Sequence, residues 1–270
     1  MVLDDFPASN PESASVPLRA SASIWHDLEC GSYRVDLPVW RELAAEAGIG
    51  TSAQPLLDVG AGTGRVALDL AARGHRVMAL DLDAELLNTL RERARAATTP
   101  LETVCADARE LELESRNFAV CLVPMQTIQL LGGATGRIAF LGRVRKHLRP
   151  GGLLACAIVS ELDSFDCAAG DLGPSPEIAR VDGVRYISRA TRVHVDSRTV
   201  RIERERTILS GEQIAAGTQL PPEHDSIELD RVSTTQLHRE GQQMGLAPAG
   251  THSIPATRDH VGSDVVLFRA

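Results

Sequence analysis

The sequence predicts a doubly wound α/β fold, a parallel sheet with helices on both faces, carrying a small antiparallel β extension inserted after its fifth strand. Three observations predict it. Residues 55 to 81 read as a strand, a glycine turn, a helix and a second strand. Short apolar runs then alternate with helical-period segments as far as Val159. From Arg185 the period changes to two, the signature of half-buried antiparallel strands.

Taken in order, Leu37 to Ala47 reads as a helix that delivers the chain to the first strand. Pro55 to Val59 is that strand, and the glycine-rich turn Gly60-Ala61-Gly62-Thr63-Gly64 follows it. Val66, Ala67, Leu70 and Ala71 recur at helical spacing, and Gly74 is the C-terminal stop. Val77 to Leu80 forms the second strand and ends in Asp81. Asp83 is an N-cap for a helix with Leu86, Leu87, Leu90 and Ala94 on one face. Leu101 to Ala106, Ala119 to Val123 and Leu153 to Val159 complete the parallel strands, read as covered on both faces, with a helix marked by Ile138, Leu141, Val144 and Leu148.

Arg185 to Val195 and Thr199 to Leu209 flank the turn Asp196-Ser197-Arg198 as a hairpin, and Ser226 to Val232 adds a third strand. On the hairpin, strict alternation puts Tyr186, Ser188, Ala190 and Arg192 on one face, with Ile187, Val193 and Val195 on the other. Ser233 and Gln236 have the spacing of a helix start, Gly245 stops that helix, and Val265 to Phe268 is a final strand. The expected organisation is a disordered leader over 1–23, a helical cap or lid over 24–54, a cofactor-binding core over 55–160, a β extension that covers the substrate as a wall of the acceptor site over 161–232, and a closing helix and strands over 233–270.

A chain of 270 residues can bury one ample core with appendages. Its net charge of -8, with Lys146 the sole lysine, argues against a nucleic-acid partner, which needs clustered cations. The five cysteines, at 30, 105, 121, 156 and 167, contain no C-x-x-C pair, and positions 105, 121 and 156 fall in strands expected to be buried. Neither a disulfide framework nor a metal site is expected, and a reducing cytoplasm is the default. Asp4 and Asp5 stand where a signal peptide needs basic residues, and no apolar run approaches the ~20 residues that span a bilayer.

The unit over 55–81 implies a ligand. Asp81 closes the second strand seventeen residues after Gly64, where a carboxylate meets the hydroxyls of a nucleoside. The cofactor is therefore expected to contain adenosine. A pyrophosphate would be repelled by Asp58 beside the turn, and the glycines follow G-x-G-x-G, not G-x-G-x-x-G. A cationic cofactor without phosphate, S-adenosylmethionine, suits that carboxylate. An NAD-dependent oxidoreductase and a non-catalytic cofactor-binding protein are the alternatives.

Several motifs in order resemble the class I S-adenosylmethionine-dependent methyltransferases. They are Asp58-Val59-Gly60-Ala61-Gly62-Thr63-Gly64-Arg65, Asp81-Leu82-Asp83, Cys105-Ala106-Asp107-Ala108-Arg109, the strand Val120 to Val123, and Leu148-Arg149-Pro150-Gly151-Gly152. The resemblance runs from about Trp25 to Ala270. It implies a Rossmann-like sheet and a cofactor site in which Asp58, Gly60, Ala61, Gly62, Gly64 and Arg65 hold the methionine end. Asp81 and Leu82 would hold the ribose, and Asp107 and Ala108 the adenine, with Pro124 beside them. The segment Val123-Pro124-Met125-Gln126-Thr127-Ile128-Gln129-Leu130-Leu131 is similar to a V-P-F-N-T-x-Q-L-L element of a bacterial small-molecule subgroup, departing from it at Met125 and Gln126.

Methyl transfer from a sulfonium needs alignment and exclusion of water more than a strong catalytic motif. The expected acceptor is an oxygen or nitrogen of a small molecule, without a metal. Tyr33 and Gln126 are the candidate catalytic residues. Trp25, Tyr33 and Trp40 cluster with Asp36 in a segment that reads as a lid, with Trp40 expected to pack. Thr127 and Gln129 follow the fourth strand, and Glu161 and Asp163 the fifth, where ligands gather. His26, His194 and His260 are read as solvated or structural, and a homodimer through the β extension is a further expectation.

Overall fold

A computed structural model describes residues 21–48, 54–114, 117–159, 161–209, 221–257 and 260–270. Most of the expected leader, residues 1–20, lies outside them. Five strands form the parallel part of a seven-stranded sheet: β1 (Leu56–Val59), β2 (Val77–Asp81), β3 (Glu102–Cys105), β4 (Phe118–Val123) and β5 (Leu148–Ile158). The chain closes this sheet from its other end. β11 (Ala247–Ile254) and β12 (Ser263–Arg269) add to β5, giving the order β11-β12-β5-β4-β1-β2-β3, with β12 antiparallel to both neighbours.

Alternate residues of each strand enter opposite cores, as the period of two requires. Leu56, Ala79, Val120, Leu122, Ala155 and Leu267 face one side. There Trp40 and Leu43 of α2 (Leu37–Gly48), Val66 and Leu70 of α3 (Arg65–Ala71), and Leu87 and Leu90 of α4 (Ala84–Ala96) cover them. Leu57, Val59, Cys121, Leu154 and Phe268 face the other side, under Phe140 and Val144 of α5 (Gly133–His147) and Leu237 of α6 (Thr234–Gln243). Each fully buried aliphatic or aromatic side chain contributes roughly 1.5–3 kcal/mol.

Local signals act as the sequence predicts. The Asp83 carboxylate accepts from the Glu85 and Leu86 amides at the start of α4, and the Ser233 hydroxyl accepts from the Gln236 amide at the start of α6. β3 departs from expectation: it is the edge of the sheet, so its residues are half-buried or exposed, and Cys105 is exposed while Cys121 and Cys156 are buried.

The extension is larger than a hairpin with one added strand. β8 (Val184–Val195) and β9 (Thr199–Leu209) form the hairpin and β10 (Glu223–Asp230) pairs with β9. β6 (Phe165–Asp166) and β7 (Glu177–Val181) both pair with β8 on its other side. A bulge between Ala190 and Arg192 shifts the pleat by one residue. Strict alternation therefore fails: Val193, not Arg192, joins Tyr186, Ser188 and Ala190 on the buried face.

Two contacts dock this second sheet on the core. The first is an additional helix, α1 (Ala22–Cys30), whose Trp25 and Leu28 pack with Tyr186 and Ile208. The second is the end of β10. The Asp230 carboxylate accepts from the Gly133 amide at the start of α5 and pairs at 3.2 Å with Arg137, a buried cation held bidentately by Glu240 at 2.8 Å. Gln129 completes the joint. Its Nε2 donates to the carbonyls of Val159 and Asp230 at 3.1 and 2.8 Å, and its Oε1 accepts from the Val159 amide at 2.7 Å.

Gln129→Leu strands the buried amide and carbonyl of Val159 and the half-buried carbonyl of Asp230, so it should lower stability by about 2–4 kcal/mol. Urea denaturation checks this, and a shift under about 0.5 kcal/mol would show the joint to be held elsewhere.

Candidate active site

The strand order reverses at β1, between β2 and β4, and in such sheets the crevice outside the strand ends is where ligands bind. A cavity of about 1420 Å³ opens there and extends over the second sheet. Its floor carries Asp58, Gly60 and Ala61 from the first turn, Asp81 and Leu82 from the end of β2, Asp107 and Ala108 from the end of β3, and Pro124 from the end of β4.

Asp81 is oriented by the backbone. Its Oδ2 accepts from the Gly62 amide at 2.7 Å and its Oδ1 from the Asp83 amide at 2.9 Å, which ties the glycine turn to the second strand. Asp107 is held by Arg109, whose Nη2 lies 2.6 Å from Oδ2, and this pairing keeps the carboxyl below its ordinary range. Asp58 differs from both. It is 1% exposed, no side-chain donor among the described residues reaches its oxygens, and burial pushes its carboxyl up to about 7, with Arg65 and the Ala67 amide opposing and Asp81 adding to the rise.

The glycines after Gly60 face protein. Gly62 and Gly64 have φ of +55° and +97°. A Cβ on Gly62 would lie 2.3 Å from His26 Nε2, and one on Gly64 would lie 2.2 Å from a methyl of Leu90. Neither glycine lines the cavity; they admit α1 above the turn and α4 beside it.

Arg65 organises the entry side. Its two terminal nitrogens reach Asp36 Oδ1 and Oδ2 at 2.5 and 2.8 Å, and one also donates to the Tyr33 carbonyl at 2.9 Å. Asp36 in turn accepts from Trp40 Nε1 at 2.7 Å, so Trp40 both packs and bonds. The Arg65 guanidinium lies 5.3 Å from the centre of the Tyr33 ring, and His260 meets that ring edge-on at 5.0 Å. Burial raises the Tyr33 hydroxyl above its usual value, while a hydrogen bond with Ser263 opposes the rise.

α1 forms the roof. His26 lies over the turn with its Nδ1 3.3 Å from Thr63 Oγ1, and burial lowers its pKa against the pull of Asp27, Asp81 and Glu29. Asp27 accepts from Thr63 Oγ1 at 2.6 Å and pairs with Arg93 of α4.

The structure brings Tyr33, Gln126, Thr127, Asp163, His26 and His260 to the cavity wall. Thr127 donates from Oγ1 to the Pro124 carbonyl at 3.1 Å, and Met125 adopts φ 52°. Gln129, read as an acceptor-side candidate, is 2% exposed and engaged with backbone. Glu161 faces a separate cleft, and His194 is exposed on the hairpin. The extension, expected as a cover for the substrate, lines the cavity through Ser188, Arg204 and Arg206, to none of which the sequence assigned a role. Their signal was only a polar side chain on an alternating strand.

Residues 56–152 match the family model described as a methyltransferase domain. The chain is 34% identical over 118 residues to a cypemycin N-terminal methyltransferase from Streptomyces sp, covering 43% of this chain and 46% of that protein. It is 31% identical over 135 residues to a probable cobalt-precorrin-6B C(15)-methyltransferase from Methanothermobacter thermautotrophicus, covering 48% and 66%. The chain thus spans about half to two thirds of the length of these relatives. In fold it resembles the sugar N-methyltransferase KedS8 from Streptoalloteichus sp, with a TM-score of 0.68 at 15% identity over 99% and 100% of the two chains. It also resembles the S-adenosylmethionine-bound amino pentose methyltransferase CalS10 from Micromonospora echinaspora, with a TM-score of 0.66 at 17% identity over 93% and 99%.

Asp58 gives a pH prediction. Its carboxyl is raised in the folded protein to about 7 from an ordinary 3.8, so the unfolded chain ionises first. The free protein should therefore lose stability as pH rises between those values. Asp58→Asn should flatten that slope and stabilise the protein at neutral pH by about 2–4 kcal/mol. Urea midpoints of both proteins across this range check it, and parallel curves would mean that Asp58 is charged throughout.

Proposed function

We propose that the whole chain, whose core is a class I S-adenosylmethionine-dependent methyltransferase domain, transfers a methyl group from that cofactor to a nitrogen or oxygen of a small molecule. The observation that carries the proposal is a carboxylate-rich floor at the strand crossover, continuous with a large cavity walled by the second sheet. Two structural neighbours named as N-methyltransferases, with one relative named as an N-terminal methyltransferase, favour nitrogen.

The residues suit this cofactor. Asp58 is buried with no side-chain donor among the described residues, a position a ligand ammonium would stabilise. Among the described residues, the two cations beside the cofactor floor, Arg65 and Arg109, are already paired with Asp36 and Asp107, so neither guanidinium is free for a pyrophosphate at the strand ends. That arrangement disfavours a dinucleotide. Asp81 keeps lone pairs for ribose hydroxyls beside its two backbone bonds, and the Leu82 side chain supplies an exposed apolar surface next to it.

When bound, S-adenosylmethionine supplies a methyl group already activated by its sulfonium. The protein's part is to hold the acceptor in line and keep water out. α1 and the second sheet cover the cavity, with His26 closing over the glycine turn. Tyr33 and His260 share one wall of the cavity, and on this reading the Tyr33 phenol would bind the acceptor and the His260 imidazole would receive the proton it loses. Gln126 offers an amide at the mouth of β4.

Incubating the purified protein with S-adenosylmethionine and a panel of small amines and alcohols should release S-adenosylhomocysteine and yield a product one methylene heavier by mass spectrometry. Asp81→Ala should weaken cofactor binding by about 1.5–3 kcal/mol, the worth of hydrogen bonds to a charged acceptor. Calorimetry showing unchanged affinity in a folded variant would remove Asp81 from the ribose site.

A further inference from the structure

The buried face of the second sheet is graded along its strands. At one end Tyr186 and Ile208 pack against α1. The next pair, Ser188 and Arg206, also docks α1: Glu29 is held by Arg206 through two 2.8 Å bonds and by the Ser188 hydroxyl at 2.7 Å. At the far end Val193, Val200 and Leu229 form an apolar cluster with Phe165 and Ile202 beside them. Between these ends lies the row Ala190 and Arg204, partners across β8 and β9.

Arg204 is unlike Arg206. Arg206 is fully engaged, by Glu29 and by Asp225 at 3.1 Å. Arg204 has no hydrogen-bond partner among the described residues; its one ion-pair contact there, with Glu177, stands off at 3.9 Å, and Glu29, already held by Arg206 and Ser188, acts on it only through space. Its side chain is 19% exposed and lines the cavity, opposite the small Ala190. Glu177 neutralises it poorly. The Glu177 Oε2 is buried without a hydrogen bond, and burial raises that carboxyl above its ordinary value. A guanidinium carries five N–H donors in a fork that fits a carboxylate, and in a half-buried wall those donors are costly to leave unmatched.

We propose that Arg204 is the anion-recognition residue of the cavity, receiving the carboxylate of a methyl acceptor whose apolar remainder lies along Phe165, Val193 and Ile202. The proposal names the acceptor class for the methyl-transfer reading and rests on it. Ala190 leaves room for the oxyanion, and the apolar residues beside it select an amphipathic molecule with one charged end.

The test uses the full chain saturated with S-adenosylhomocysteine and two probes, 4-phenylbutyrate and 4-phenylbutyramide, titrated by calorimetry. The wild type should bind the acid at least about tenfold more tightly than the amide. Arg204→Gln should abolish that preference while leaving the amide within about twofold, and Arg204→Lys, which keeps the charge without the fork, should fall between. Equal binding of acid and amide by the wild type, no binding of the acid, or a preference that survives in Arg204→Gln would each overturn the proposal. Should Arg204→Gln fail to fold, the wild-type comparison and Arg204→Lys decide it alone. Acid preference that depends on Arg204, with no methyl transfer to any acceptor, would sink the enzymatic reading and leave the anion site standing. Methyl transfer confined to uncharged acceptors would do the reverse.

Discussion

The buried ion pair between Arg65 and Asp36 is the interaction on which the rest of the site depends. Arg65 is 8% exposed and Asp36 1%, so each would be costly in isolation, and removing one strands the other. The pair joins the first residue of α3, directly after the glycine turn, to the segment that leads into α2. Through the Tyr33 carbonyl and the Trp40 indole it also fixes where the chain enters the domain. Because Arg65 is committed to Asp36, it moderates Asp58 without neutralising it, and the crossover keeps its negative character.

Among the described residues, the second sheet has only a small apolar core of its own. Its apolar residues form two small clusters, one shared with α1 and one closing over the cavity wall. Its position is set by polar joints at each end: Glu29 with Arg206 and Ser188, and Asp230 with Arg137, Gly133 and Gln129. Charged joints of this kind fix geometry more than they add stability. A cover positioned in this way keeps the acceptor wall in register with the strand ends below it.

Much of this was legible in the sequence, and for identifiable reasons. Apolar runs and helix caps are local, so β1, β2, β4, β5 and the starts of α4 and α6 could be placed from neighbouring residues alone. The turn and Asp81 were legible because they lie in one contiguous unit. What escaped was long-range. Arg206 meets Glu29 177 residues away, and Gln129 meets Asp230 101 residues away, so their roles leave no mark in either neighbourhood. The bulge at Ala190 reversed the inward face of half a strand, which periodicity cannot foresee. Cys105 was misread because an edge strand and a central one look alike when each is read singly. The glycine turn was read as a sharp bend that approaches a ligand closely, and packing adds a role that the sequence did not show: Gly62 and Gly64 make space for His26 and Leu90.

The order of the large sheet also bears on how the chain is made. β12 lies between β5 and β11, yet it is encoded more than a hundred residues after β5. As the polypeptide leaves the ribosome, the outer edge of β5 therefore stays open while the whole second sheet is synthesised, and it is capped only when residues 263–269 emerge. A growing chain holding an unpaired, apolar strand edge is prone to pairing with its neighbours on a polysome. A strand translated after the whole second sheet is the one that ends that exposure.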